Sequence, residues 1–168
     1  MDVVLLRRFE TIFRRMTNRK LVLTAEDDAN DAFFLRRAFE EALSSCQVIH
    51  VSDGQEVVDY FECNGENLNQ RGRALPDLLL LDLHMPRMGG LEVLAWLGSR
   101  REFGYLPKVV LSSSDLEEDK AEAQSRGACD YYVKPADFPT LVSIVRELTA
   151  KWLSTQVKAV ERIPAPTE

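Results

Sequence analysis

Short apolar runs alternate with amphipathic stretches along this chain. Leu21-Val22-Leu23-Thr24-Ala25, Cys46-Gln47-Val48-Ile49-His50-Val51, Leu78-Leu79-Leu80-Leu81, Pro107-Lys108-Val109-Val110-Leu111 and Cys129-Asp130-Tyr131-Tyr132-Val133 are too short for buried helices. Turn residues bound them, so the pattern predicts five strands. The four leucines fit a strand buried on both faces, as in a parallel sheet. Between and after the strands, apolar residues recur at helical spacing. The groups are Leu35, Ala38, Phe39, Ala42 and Leu43; Val57, Val58 and Phe61; and Leu91, Val93, Leu94 and Leu97. A fourth helix, Leu116 to Arg126, has few large apolar residues and many acids. A last helix carries Leu141, Ile144, Val145, Leu148 and Trp152 on one stripe, with Val142, Leu153 and Val157 on a neighbouring face.

Five strands alternating with five helices predict an α/β fold with a parallel sheet covered on both sides. Right-handed crossovers leave few topologies. The expected one is a flavodoxin-like (βα)5 three-layer sandwich, strand order 2-1-3-4-5. The punctuation agrees. Asp53 and Glu56 have capping-box spacing, Pro86 and Gly89-Gly90 stop the third strand, and Gly127 suits the left-handed position after the fourth helix.

Other stretches stand apart. Residues 1–19 place Leu5, Leu6, Phe9, Ile12, Phe13 and Met16 at amphipathic spacing among arginines. This extension can pack on its own domain or on a second copy, lie on a membrane surface, or fill a partner's groove. Residues 63–76 form a long polar loop, and 159–168, with two prolines, a disordered tail. The domain itself is expected at 20–158.

Charge is uneven. Residues 1–20 hold six basic residues against two acidic ones, a net +4, so the chain's −6 leaves −10 on the rest. An acidic body is a poor match for phosphate backbones, which argues against direct DNA binding. No apolar run is long enough to span a membrane. Cys46, Cys63 and Cys129 lack metal-ligand spacing and read as reduced thiols in a cytoplasmic protein.

Candidate chemistry sits at strand ends. The first strand runs into Glu26-Asp27-Asp28, the third into Asp82, the fourth into Ser112-Ser113-Ser114-Asp115 and the fifth into Lys134-Pro135. Asp82 alone reads equally as a turn or cap residue. Asp28 or Asn30 can cap the next helix, which leaves two acids without a structural role. One serine can cap while another faces the site. In the expected strand order, Glu26, Asp27, Asp82, Ser112 and Lys134 converge on one sheet edge, where open α/β sheets bind ligands. Three carboxylates without histidine or thiolate ligands suit a hard cation, Mg²⁺ being the usual one. A lysine and a hydroxyl beside it suit a phosphoryl group.

Over about residues 20–150 the sequence resembles the receiver domain of two-component response regulators. The motifs are Glu26-Asp27, Asp82 in D-x-x-M-P-x-M-G-G, Ser112 and Lys134-Pro135. The resemblance implies that Asp82 is the phosphoacceptor and that Glu26, Asp27, Asp82 and the His84 backbone carbonyl hold Mg²⁺. It further implies that Ser112 binds the phosphoryl oxygen, that Lys134 neutralises it, that Tyr131 is an aromatic switch, and that the Lys134-Pro135 bond is cis. The loop before the third strand and the Ser-Ser-Ser-Asp turn resemble a stand-alone subclass that includes phytochrome-partner regulators. The implied partners are a sensor histidine kinase, phytochrome-like or otherwise, or a phosphotransfer protein, and an unknown downstream protein target. Off-stripe Val142, Leu153 and Val157 predict a homodimer through the last helix. The rival readings are a pseudo-receiver scaffold and a phosphohydrolase of the haloacid-dehalogenase type. The latter needs a second Asp where His84 stands.

Overall fold

The computed structural model describes residues 19–42, 46–65 and 75–153. The amphipathic segment before them, the tail after them and most of the polar loop lie outside the described residues. In order, the elements are β1 Lys20–Ala25, α1 Ala29–Ala42, β2 Cys46–Val51, α2 Gly54–Gly65, β3 Leu78–Leu81, α3 Gly90–Gly98, a 3-10 turn Arg101–Phe103, β4 Lys108–Ser112, α4 Glu117–Ser125, β5 Asp130–Val133 and α5 Phe138–Trp152. The strands form one parallel sheet ordered β2-β1-β3-β4-β5.

The leucine run explains the layering. Successive strand side chains point to opposite faces. Leu79 and Leu81, with Leu23, Ala25 and Val110, meet Val57, Tyr60 and Phe61 of α2, Val93, Leu94 and Leu97 of α3, and Ala123 of α4. Leu78 and Leu80, with Val22, Val109 and Leu111, meet Leu35, Ala38 and Phe39 of α1 and Val142, Val145 and Leu148 of α5. A fully buried side chain of this size stabilises by about 1.5–3 kcal/mol relative to exposure. The central strand serves both cores at once.

Helix α5 is rotated from its expected face. Val142 and Leu153 are buried, at 3% and 4% exposure, while Leu141 and Ile144 are only half-buried. The cause is that α5 packs beside α1 as well as on the sheet, so its buried sector is wider than one sheet face requires. Two of the three residues expected to mark a dimer surface, Val142 and Leu153, therefore belong to the core, and Val157 lies outside the described residues. Asp137 caps this helix, its carboxylate accepting from the Thr140 amide at 2.9 Å and the Thr140 hydroxyl at 2.8 Å. Helix α4 is the contrast. It buries only Ala123 and ends at Gly127, whose φ of +95° is the left-handed position expected there.

At the amino end of the sheet, away from the strand-end acids, Lys108 is 7% exposed. Burial pushes its pKa down. Its ammonium donates to the carbonyls of Leu106 at 3.0 Å and Phe103 at 3.5 Å, which offsets the loss of water.

Candidate functional site

Three backbone hydrogen bonds carry the sheet ladder one residue past the strands. The Glu26 amide donates to Val51 O at 3.1 Å, the Asp82 amide to Ala25 O at 3.0 Å and the Lys134 amide to Ser112 O at 2.8 Å. The strand pairing thus sets the positions of the acids and the lysine before any side chain interacts. Gly90 completes the frame. A Cβ there would lie 2.2 Å from Asp82 O, so only glycine lets α3 start so close to the acid.

Asp82 is 5% exposed. Its Oδ1 accepts from the amides of Leu83 at 2.6 Å and His84 at 3.3 Å. Its Oδ2 accepts from Lys134 Nζ at 2.8 Å. Glu26, 3% exposed, accepts from the same Nζ at 2.6 Å and from the Asp28 amide at 3.1 Å. Burial pushes the Glu26 pKa up, against the opposing pull of Lys134. Burial would lower the Lys134 pKa, but hydrogen bonds to Asp31, Asp82 and Glu26 win and raise it. Asp27 is exposed at the mouth. The side chain of His84 is also exposed, and its amide joins it to Asp82.

One member of this group carried no expectation. Asp31, in the first turn of α1, accepts from Lys134 Nζ at 2.9 Å. Asp28 caps that helix, accepting from the amides of Asn30 at 2.8 Å and Asp31 at 3.0 Å, which lowers its pKa. The available signal was the cap itself, since it puts Asp31 on the first turn next to the sheet edge.

Ser112 and Tyr131 form a second group joined through Ser114. Ser112 is fully buried, and its Oγ accepts from the Ser114 amide at 3.4 Å. The Tyr131 hydroxyl donates to Ser114 O at 2.9 Å, and burial raises its pKa. The Ser114 hydroxyl donates to Asp119 at 2.5 Å, tying the strand end to α4.

No cis peptide bond occurs among the described residues, so Lys134-Pro135 is trans, not cis as expected. The trans bond already delivers Nζ to three carboxylates, so side-chain reach supplies the aim that a cis bond was expected to give.

The turn between β3 and α3 is also fastened from outside. Arg87 has φ +63°, and the Met88 amide donates to Pro86 O at 2.7 Å, closing a three-residue γ-turn around it. For a residue with a β-carbon that conformation costs on the order of 1–3 kcal/mol. The Arg87 guanidinium meets it with two bonds to Asp53 Oδ2, the Nε one at 2.7 Å, and an ion pair to Glu56 at 3.6 Å. Asp53 is 3% exposed and also caps α2 through the Glu56 amide at 3.0 Å. The Gly54 amide donates to Met88 O at 3.1 Å, and a Cβ on Gly54 would lie 2.5 Å from that oxygen. The capping box is present, although the Glu56 side chain reaches back to the Ser52 amide at 2.8 Å.

Glu26, Asp27 and Asp82 each offer an oxygen within 4.8 Å of the others. With Asp31 they set four carboxylates against one ammonium. That excess of negative charge and an all-oxygen donor set fit a hard divalent cation.

Residues 22–146 match the family profile described as response regulator receiver domain. The chain is 32% identical over 133 residues to "Probable methanogenesis regulatory protein FilR2" of Methanothrix harundinacea, covering 79% of this chain and 83% of that protein. It is 27% identical over 136 residues to response regulator Rcp1 of Synechocystis, covering 81% of this chain and 90% of Rcp1. The Mn²⁺-bound form of Rcp1 superposes with a TM-score of 0.69, covering 88% of this chain and 99% of that one. The phosphorylated cyanobacterial phytochrome response regulator RcpA superposes with a TM-score of 0.72 at 34% identity, over 82% of this chain and 96% of that one. No helix among the described residues is long and apolar enough to cross a membrane.

Proposed function

The chain belongs to the response regulator receiver domain family, and on that premise we propose that Asp82 accepts a phosphoryl group from the phosphohistidine of a sensor kinase or phosphotransfer protein. The observation that carries this reading is the Asp82 carboxylate. It is buried, held at Oδ1 by two amides, and faced at Oδ2 by a lysine that two other acids share. An Asp82 oxygen forms the new bond to phosphorus in line with the departing imidazole nitrogen, which keeps the electron pair of the broken P–N bond. Lys134 Nζ stays with the transferred group and offsets its charge. Glu26, Asp27, Asp82 and the His84 carbonyl would hold Mg²⁺, which would offset charge on the phosphoryl oxygens when bound. Water then releases phosphate from the acyl phosphate, so the protein is a signalling component that turns over its own modification.

The response begins at Ser112. The phosphoryl oxygens draw its hydroxyl inward, the Ser114 backbone follows, and Tyr131 changes its hydrogen bond. The face made by α4, β5 and α5 is then offered to a downstream protein. This is a shift between two populations, so phosphorylation must favour one of them selectively. The relative RcpA is a phytochrome response regulator, which supports a phytochrome-like sensor kinase as partner, and cysteines without ligand spacing support a cytoplasmic setting. Among the described residues, a homodimer through α5 has as support half-buried Leu141, Ile144 and Trp152, and sedimentation at micromolar concentration tests it.

Incubation with acetyl phosphate and Mg²⁺ tests the central reading. Intact mass should rise by one phosphoryl group that mild base removes, and Asp82→Asn should gain none. Equal labelling of that variant moves the acceptor elsewhere.

A further inference from the structure

Glycine adopts a positive φ without strain, and Gly89 and Gly90 stand two and three residues along this same turn. The residue at φ +63° is nevertheless Arg87. Its side chain crosses to the start of α2, where Asp53 is buried and accepts two of its hydrogen bonds. The neighbouring Gly54 amide grips the Met88 carbonyl. The Asp53-Gly54 pair therefore holds the apex of the turn by one charged and one backbone contact. The base of the turn is closed by the Gly90 amide on Leu83 O at 2.9 Å. His84 lies between those two fixed points, and its amide is already bound to Asp82.

We infer that Arg87 is a positioning residue for the divalent cation: its clasp on Asp53 fixes the turn that carries the His84 carbonyl, and so sets metal affinity at Asp82. This rests on the proposed metal role of Glu26, Asp27, Asp82 and His84. The guanidinium touches neither the acids of the site nor the reacting atoms. It acts through the backbone. A ligand whose backbone is held still gives up less freedom on binding, which is how outer contacts tune metal sites. An arginine suits the task because two nitrogens of its rigid planar fork donate together to Asp53 Oδ2, an arrangement a lysine's single ammonium does not reproduce.

The test uses Arg87→Gly, which removes the clasp and relieves the backbone, and Arg87→Lys, which keeps the charge. Mg²⁺ binding to the unphosphorylated protein is measured by calorimetry, and far-ultraviolet dichroism checks the fold. Arg87→Gly should bind Mg²⁺ roughly tenfold more weakly, at the lower end of what outer contacts contribute. Arg87→Lys should fall between it and the wild type. In acetyl phosphate labelling, the half-saturating Mg²⁺ concentration should rise by more than the rate at saturating metal falls. A purely structural role would lower the melting temperature and leave the metal dependence alone. A folded Arg87→Gly with wild-type Mg²⁺ affinity overturns the inference. Should that variant not fold, Asp53→Asn keeps the helix cap, and unchanged affinity there overturns it equally. Mg²⁺ binding that survives Asp27→Ala with Arg87 intact contradicts the metal site itself, a different failure from that of Arg87.

Discussion

Lys134 Nζ lies 2.9 Å from Asp31 and 2.8 Å from Asp82, so a helix acid competes on equal terms with the strand-end acid for the same ammonium. Asp31 is partly exposed, which screens its pull. Asp31→Asn should free Lys134 for a transferred phosphoryl group while removing one negative charge beside the metal ligands. Labelling of Asp82 should persist. Mg²⁺ affinity should fall by no more than about fivefold, the scale of a partly exposed ion pair at up to about 1 kcal/mol. Calorimetry reads the affinity, and loss of labelling would make Asp31 indispensable instead of modulatory.

Removing the ammonium itself is a larger insult. Lys134→Ala leaves Glu26 and Asp82, both nearly inaccessible, without their shared counter-charge. Breaking such a buried pair costs about 3–5 kcal/mol. Urea unfolding without metal should show a loss on that scale, and saturating Mg²⁺ should recover part of it. A loss of equal size with and without Mg²⁺ would mean that cation and lysine do not share these acids.

Acid pH should loosen the clasp at Asp53. Burial alone would raise its pKa, but the Glu56 amide and the Arg87 guanidinium hold it below the ordinary value of 3.8. Between the two values the unfolded chain binds more protons, so stability falls with falling pH. The contribution is complete above about pH 4, near the unfolded carboxyl, and is lost as pH drops through the depressed folded pKa. Asp53→Asn should flatten this limb of the urea midpoint against pH. An unchanged limb would assign acid sensitivity to other carboxylates.

Tyr131→Phe removes only the hydroxyl that donates to Ser114 O. A single hydrogen bond of this kind contributes about 0.5–1.5 kcal/mol. The variant should lose stability within that range and still be phosphorylated at Asp82. Its surface response should change, which amide chemical shifts of α4 with and without beryllofluoride can read. Identical shifts in wild type and variant would leave Tyr131 without a part in the response.

The strands were legible because all five are short, apolar and ended by polar residues. The site's charged residues were legible because the strand order sends Glu26, Asp82 and Lys134 to one edge, where the ladder bonds then hold them. Asp31 was not, because the helix's rotation against the sheet edge decides which first-turn acid faces inward. The Arg87–Asp53 clasp joins residues 34 apart in sequence, and no local period signals such a pair. The buried face of α5 was misread because its contact with α1 adds a second direction of burial that no single stripe encodes. The Lys134-Pro135 isomer is set by tertiary surroundings more than by the dipeptide.

Helix α4 buries a single alanine, while α5 buries Val142, Val145, Leu148 and Thr149. Local opening needs least free energy where the fewest apolar contacts must part. The amides of Glu117–Ser125 should therefore exchange with deuterium well before those of α5. Its acidic first turn, Glu117, Glu118 and Asp119, suits the positive end of the helix dipole, which favours the formed helix. Because the Ser114 hydroxyl bonds to Asp119, an event at Asp82 can change how often this helix lets go without displacing either core. The output would then be a lifetime, and the rest of the fold a fixed frame against which that lifetime is set.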